Sequence, residues 1–415
     1  MAAPATLSRP KLRPLDVRSY TQDGQPYVLL RDPLQLNDRS LLVPQPLAAV
    51  LAFCDGARTP ADLAAAFSMH YGFPVSISAV DDLLLAMDEA CLLDNERAQA
   101  AHAHAVERYR SAPYRAPSLA GQSYPQHPDG LAARLDGYLA AAGTEPLDGS
   151  PPSFGLLSPH IDYGRGGSVY VTVWQRVAQQ VADAELAILF GTDHYGSDPI
   201  TLTRQHYATP YGVLPTAVEV VDALAETIGI ETAYAGELRH RGEHSLELVA
   251  VWLHHMRGRR PILMVPILCG SFHPFFQNGA TPATDGLYRS LLDMLRSSMA
   301  GRNVVVIASG DLAHVGPAFG GAPLTPAHRR DLAIADQALL DRMAAGDAEG
   351  FFGEIKQVQD RNNVCGVSPI YLTLKLLGAV RGELTGYASC PADEHNTSAV
   401  TVAGVVFHAA PPPSE

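Results

Sequence analysis

Histidine and carboxylate side chains cluster in this sequence where β-strands would end. The apolar run Phe154–Leu157 leads into Ser158-Pro159-His160-Ile161-Asp162-Tyr163-Gly164. Leu186–Phe190 leads into Gly191-Thr192-Asp193-His194-Tyr195, and Val304–Ala308 into Ser309-Gly310-Asp311-Leu312-Ala313-His314. In open α/β sheets, ligands sit beyond the carboxyl ends of strands, where loops converge on a rigid base. One histidine in such a place reads as structural. Three in equivalent places point to a shared site.

Two further segments would reach it. Glu243-His244-Ser245 precedes an apolar helix, with Ser245 the expected N-cap and Glu247 in the first turn. The positive helix end would keep His244 neutral and Glu247 ionised. Cys365-Gly366 stands ahead of Ser368-Pro369, which reads as another cap-plus-proline helix start. A thiol beside a helix N-terminus is expected to have a lowered pKa and to serve as thiolate ligand or nucleophile; the alternative is a small buried residue.

Two imidazoles and a thiolate make a three-ligand metal site with open positions. That donor set suits Zn, Cu or Fe(II) and argues against Mg or Ca, which prefer oxygen. Asp311 and His314, three apart, are expected to share one face of a turn, the carboxylate orienting the ring and raising its pKa for acid–base work. The competing reading is a capping Asp with a core His. Other chemistries fit poorly: there is no G-x-S-x-G, P-loop or H-E-x-x-H, and Gly164-Arg165-Gly166-Gly167 is not a dinucleotide fingerprint. Cys269, His273 and Cys390 read as ordinary core or loop residues.

The elements needed to position these groups are legible. Strands are expected over 154–157, 186–190, 262–268, 304–308 and 399–407. Helices are expected over 131–142, 169–181, 245–256, 286–299 and 326–343. This alternation is that of an α/β domain, a central sheet flanked by helices. Residues 27–95 read as a separate small α+β unit. Strand-like runs Tyr27–Leu30 and Ser40–Val43 are followed by a helix from Pro46, a helix opened by Thr59-Pro60, and a third capped by Ser78. Residues 96–113 read as a polar helix, and a Pro/Ser/Gly-rich boundary follows.

The chain has 415 residues, enough for two or three domains. With 47% apolar and 18% charged residues it is globular. Thirty Lys+Arg against 43 Asp+Glu give a formal charge of -13 and no dense basic run, which disfavours nucleic-acid and anionic-membrane binding. No transmembrane run or targeting segment is expected. Five scattered cysteines without C-x-x-C favour a reducing cytoplasm over a disulfide framework.

The C-terminal part resembles the Memo family, also called AmmeMemoRadiSam system protein B. The resemblance runs through Ala120-Gly121-Gln122-Ser123-Tyr124-Pro125, "SPHIDYGRGG", "GTDH", "EHSLE", "SGDLAH" and "VCGVSPI". It implies a fold like that of class III extradiol dioxygenases and a metal site made of His160, His194 and Cys365, with Asp311, His314 and His244 lining it as candidate catalytic groups. It also implies iron or copper ahead of zinc. A Cys in place of the dioxygenases' third carboxylate puts ring cleavage in doubt. Asp162 and Asp193 depart from the commoner family wording and are expected as partners of the ligands or as a ligand displacing the Cys. The stretch 51–93, with "DG", "RT" and "YGF", resembles PqqD-type winged-helix domains, which bind peptides; a helical lid or oligomerisation module is the alternative.

These readings divide the chain into a PqqD-like domain over 1–100, a linker helix over 101–113 and a Memo-like domain over 114–410. The expected function is a non-haem iron- or copper-dependent redox enzyme acting on a small molecule or modified peptide. The alternatives are zinc-dependent hydrolysis and a non-catalytic metal- or peptide-binding module working with a radical-enzyme pathway.

Overall fold

The computed structural model describes residues 7–142, 153–277 and 279–410. The chain divides into two compact units, Met1–Ser111 and Ala112–Glu415, with the helix Glu96–Ser111 in the first. Residues 1–6, where the segment expected to lack a targeting signal begins, lie outside the described residues. No helix among the described residues is long and apolar enough to cross a membrane.

In the first unit, strands β1 (Asp16–Gln22), β2 (Gln25–Arg31) and β3 (Leu41–Pro44) form an antiparallel sheet in that order. β1 is an addition to the two strands expected. Asp23 and Gly24 both have positive φ (51° and 74°), as a tight two-residue hairpin turn requires. Helix Pro60–Tyr71 opens with a capping box: Thr59 Oγ1 accepts from the Asp62 amide and Asp62 accepts from that of Thr59. The next helix, Ile77–Glu89, is capped by Ser76, whose Oγ accepts from the Ala79 amide; Ser78, the expected cap, lies within the first turn. Leu63, Phe67, Val80, Leu84 and Met87 from these helices share a core with Leu30 and Val43 of the sheet.

The second unit is built on a mixed sheet. Its strands are β4 (Ser153–Ser158), β5 (Leu186–Thr192), β6 (Ile200–Leu202), the separate hairpin β7 (Tyr207–Thr209) and β8 (Gly212–Leu214), β9 (Leu263–Cys269), β10 (Val304–Ser309), β11 (His314–Val315), β12 (Val380–Pro391) and β13 (Ala399–Ala409). The sheet order is β11-β13-β4-β10-β5-β9-β6, with β12 beside β13. β4, β10, β5 and β9 are mutually parallel. β10 and β5 are buried along their whole length, as strands covered on both faces must be.

Alternate β10 residues enter opposite cores. Val305 and Ile307 pack with Trp174 and Trp252, from helices Tyr163–Arg176 and His244–Met256. Val304, Val306 and Ala308 pack with Leu224, Leu291 and Leu372 on the other face. At about 1.5–3 kcal/mol for each large aliphatic side chain removed from water, these two layers hold the sheet rigid.

Register decides where the chemistry can be. Ser309 at the end of β10 lies opposite Ser158 of β4 and Gly191 of β5. The three polar loops therefore leave the sheet at one level.

Several helix starts differ from expectation. The helix expected from 169 begins at Tyr163, capped by Asp162, whose side chain accepts from the Arg165 amide at 3.1 Å. Ser245 lies within the helix His244–Met256; its cap is Glu243. Ser368 and Pro369 lie inside the first turn of Val367–Leu377, after Gly366. Pro is accommodated there because first-turn amides lack intrahelical partners.

Candidate metal centre

His160 leaves β4 with its backbone pinned to a neighbouring loop. Asp311 Oδ1 accepts from the amides of His160 (2.9 Å) and Ile161 (3.3 Å). The ring is buried, with Nδ1 3.4 Å from Ser309 Oγ and Nε2 3.2 Å from Cys365 Sγ. Ser309 donates its one hydroxyl proton to the Ser245 carbonyl (2.6 Å), so it accepts from Nδ1–H. The lone pair at Nε2 then faces the thiol.

His194, after β5, is held by Glu243. That carboxylate accepts from the His194 amide (3.0 Å), from His194 Nδ1 (2.9 Å) and from the Ser245 amide (2.9 Å), and it pairs with His244 Nδ1 at 3.1 Å. It is almost wholly buried at the head of its helix. With Nδ1 so engaged, His194 turns Nε2 toward the same space. Its ring lies 4.5 Å from that of His244 and 5.0 Å from that of His160.

Cys365 comes from a third direction. Thr192 Oγ1 donates to its carbonyl (2.9 Å), and the Gly366 amide donates to the Asp311 carbonyl (2.9 Å). A Cβ on Gly310 would stand 2.7 Å from Gly366 Cα, so the two loops can approach this closely only because neither residue has a side chain. One donor atom each from His160, His194 and Cys365 lies within 4.8 Å of the others. Glycine packing and strand register thus bring together three residues separated by up to 205 positions.

Charge is distributed unevenly. Burial, and then the neighbouring His194 and His244, hold His160 well below its usual pKa. Burial opposes charge on His194 too, but the Glu243 charge and the hydrogen bonds to Cys365 and Glu243 outweigh it and raise that ring well above. Glu243 is likewise opposed by burial yet pulled well below the ordinary range by His194 and His244.

Four expectations need correction. Burial raises the Cys365 thiol against the opposing hydrogen bond from His194, where a helix terminus was expected to lower it. Asp311 does not orient His314: its carboxylate holds the His160 loop, while His314 begins β11 in extended backbone with Nδ1 3.1 Å from the Leu312 carbonyl. Burial pushes His314 down to about 4 instead of up, and Asp311 up to about 6. Asp162 caps its helix and pairs with Arg165, and Asp193 is buried against Arg239 at 2.6 Å; neither joins the three donors.

Sequence reasoning assigned no role to Glu243, Arg115 or Tyr124. Buried Arg115 donates to the carbonyls of His240 (2.8 Å) and Glu243 (3.0 Å) and pairs with Glu247. Glu247 also accepts from the amides of Ser118 (2.9 Å) and Leu119 (2.8 Å) and from the Tyr124 hydroxyl. Burial opposes its charge, but Arg115 and these donors pull Glu247 below the ordinary carboxylate range. The 3-10 helix Glu237–Arg241 before Glu243 and the opening segment of the second unit are thereby fixed to one helix.

A family model described as Memo-like protein matches residues 115–406. A MEMO1 family protein of Aquifex aeolicus is 26% identical over 410 residues, spanning 96% of this chain and 100% of the relative. One of Methanosarcina acetivorans is 30% identical over 281 residues (66% of this chain, 91% of the relative). One of Archaeoglobus fulgidus is 29% identical over 297 residues (71% and 99%).

Proposed function

The chain belongs to the Memo-like protein family, and from that premise we propose that it is a metal-dependent redox enzyme whose ion is held by His160, His194 and Cys365. The observation that carries this reading is the convergence of two imidazole nitrogens and a thiol within 4.8 Å, each ring's other nitrogen already engaged. Imidazole–thiolate donors fit Fe(II), Cu or Zn, and metal-bound histidines ordinarily pass their second N–H to a protein acceptor. Fe(II) or Cu would supply one-electron chemistry when bound, which is why these two are preferred over Zn.

The chain's own groups do the rest. Glu243 orients His194 and His244 together, and Asp311 fixes the backbone that presents His160. His314 has a ring nitrogen within 4.8 Å of both the Asp311 carboxylate and the Cys365 thiol. Neutral at physiological pH, it is assigned the transfer of a proton to or from a small organic substrate, with His244, whose ring lies 5.2 Å from that of His160, as second carrier. His314→Gln should keep the metal and the fold yet lose about 10²–10⁴-fold in oxygen consumption with a reductant, the range of general acid–base catalysis. Wild-type turnover in that variant would remove His314 from the mechanism, and loss of metal would make it a ligand.

A further inference from the structure

Behind the loop that carries Cys365 lies a cavity of about 360 Å³, bounded by helices Pro326–Ala344 and Ala348–Gln357 and by residues 358–364. Its size is at the lower end of small-molecule sites. Ile334, Leu339 and Val358 give it apolar walls, and Ile334 is 70% exposed at its mouth side, open to a ligand's chain. Three carboxylates, Asp331, Glu354 and Asp360, line it against one guanidinium, Arg361. Glu354 is paired with Arg342, which is not part of the lining. We propose that this cavity binds an amphipathic organic ammonium ion, its chain against the aliphatic wall and its charge at Asp331 and Asp360.

The same cavity reaches the metal-ligand loop through its wall. Asp360 Oδ1 accepts from the amide of Val364, the residue before Cys365 (2.8 Å), and the Asn362 carbonyl accepts from the His314 amide (2.9 Å). Gln359, Asp360 and Asn363 all hold left-handed backbone (φ 51°, 49° and 52°) without being glycine. Such strain persists only where surrounding contacts enforce it, and it gathers at ligand clamps and switches. Burial pushes the Asp360 carboxyl up to about 6, a cost that a cation beside it relieves. Occupancy of the cavity therefore alters how the loop presents Cys365.

The test uses the full chain and three probes of equal length: n-octylammonium, octan-1-ol and octanoate, titrated calorimetrically at neutral pH. Octylammonium should bind about ten- to a hundredfold tighter than octanol, the worth of a hydrogen bond to a charged group, and octanoate weaker than either. Ala338→Trp should fill the cavity and abolish binding; Asp360→Asn, which keeps an acceptor for Val364, should erase the preference for the cation. Cys365 is half-buried where Cys54, Cys91, Cys269 and Cys390 are buried, so its alkylation by iodoacetamide can be followed by mass spectrometry. Saturating octylammonium should change that rate at least about threefold in the wild type and leave Ala338→Trp unaffected. Equal affinities for the three probes, or undiminished octylammonium binding in Asp360→Asn, would overturn the proposal. Neither readout requires a bound metal, so that failure would leave the metal assignment standing.

Discussion

Glu243 Oε1 lies 2.9 Å from Nδ1 of His194, and the same carboxylate pairs with His244 at 3.1 Å. One buried acid thus sets the orientation of two imidazoles. It sits at the head of a helix, where it also accepts from the Ser245 amide, which has no intrahelical partner, and it reaches across to the amide of His194 in the loop after β5.

Replacing Glu243 by Gln tests that arrangement. The amide keeps the shape, but both rings and the Ser245 amide meet Oε1 while the His194 amide meets Oε2, so the new NH2 group must turn away one of these two sets of donors. Metal affinity should fall about 10–100-fold while the fold persists, the usual effect of removing a partner of a metal-bound histidine. Competition with a chromophoric chelator reads this directly; unchanged affinity would mean Glu243 is only a helix cap.

Arg115 and Glu247 form a pair with both side chains almost completely buried. Removing one partner strands the other charge, which costs about 3–5 kcal/mol. Arg115→Met should lower the unfolding free energy from denaturant titration by that amount, and Arg115→Met with Glu247→Gln should recover part of the loss. Additive losses in the double variant would show that the pair is not coupled.

Stability should depend on His254 at mildly acidic pH. Its Nε2 lies 3.2 Å from the Arg259 carbonyl and its Nδ1 2.8 Å from Thr209 Oγ1, contacts that suit the neutral ring. Burial holds its pKa at about 4, and the buried His240 at about 3, against an ordinary 6.5. The unfolded chain therefore binds protons between pH 6.5 and 4 that the folded protein refuses, and stability contributed by the neutral ring falls as pH drops through that window. Asp311 and Asp360, both raised to about 6, act in the opposite sense, so the informative quantity is a difference. Wild type should lose stability relative to His254→Gln on going from pH 7 to pH 4.5. Parallel stability curves for the two proteins would contradict this.

The strand-end rule located His160, His194 and the Asp311–His314 loop because fully apolar strands announce themselves. Those strands then aligned in register, as Ser309 opposite Ser158 and Gly191 demonstrates. Side-chain duties were less legible. An offset of three implied a shared face for Asp311 and His314, but that holds only on a helix, and His314 is extended. Glu243 was hidden by its neighbour: the Ser in Glu-His-Ser is the commoner cap, so the acid went unassigned, although a carboxylate just ahead of an apolar helix was the available signal. β12 escaped notice because Gly382, Gly386 and several half-exposed polar residues interrupt its alternation. Arg115 carries no local pattern at all; its partners His240, Glu243 and Glu247 are more than 120 residues away.

The central claim is that His160, His194 and Cys365 hold a transition metal. The most direct measurement is elemental analysis by plasma mass spectrometry of protein purified without chelators, alongside His160→Ala, His194→Ala and Cys365→Ala prepared in parallel. The wild type should carry about one transition-metal ion per chain, the count a single three-ligand site implies, and each variant should lose most of it while remaining folded. Wild-type metal content in all three variants would contradict the account.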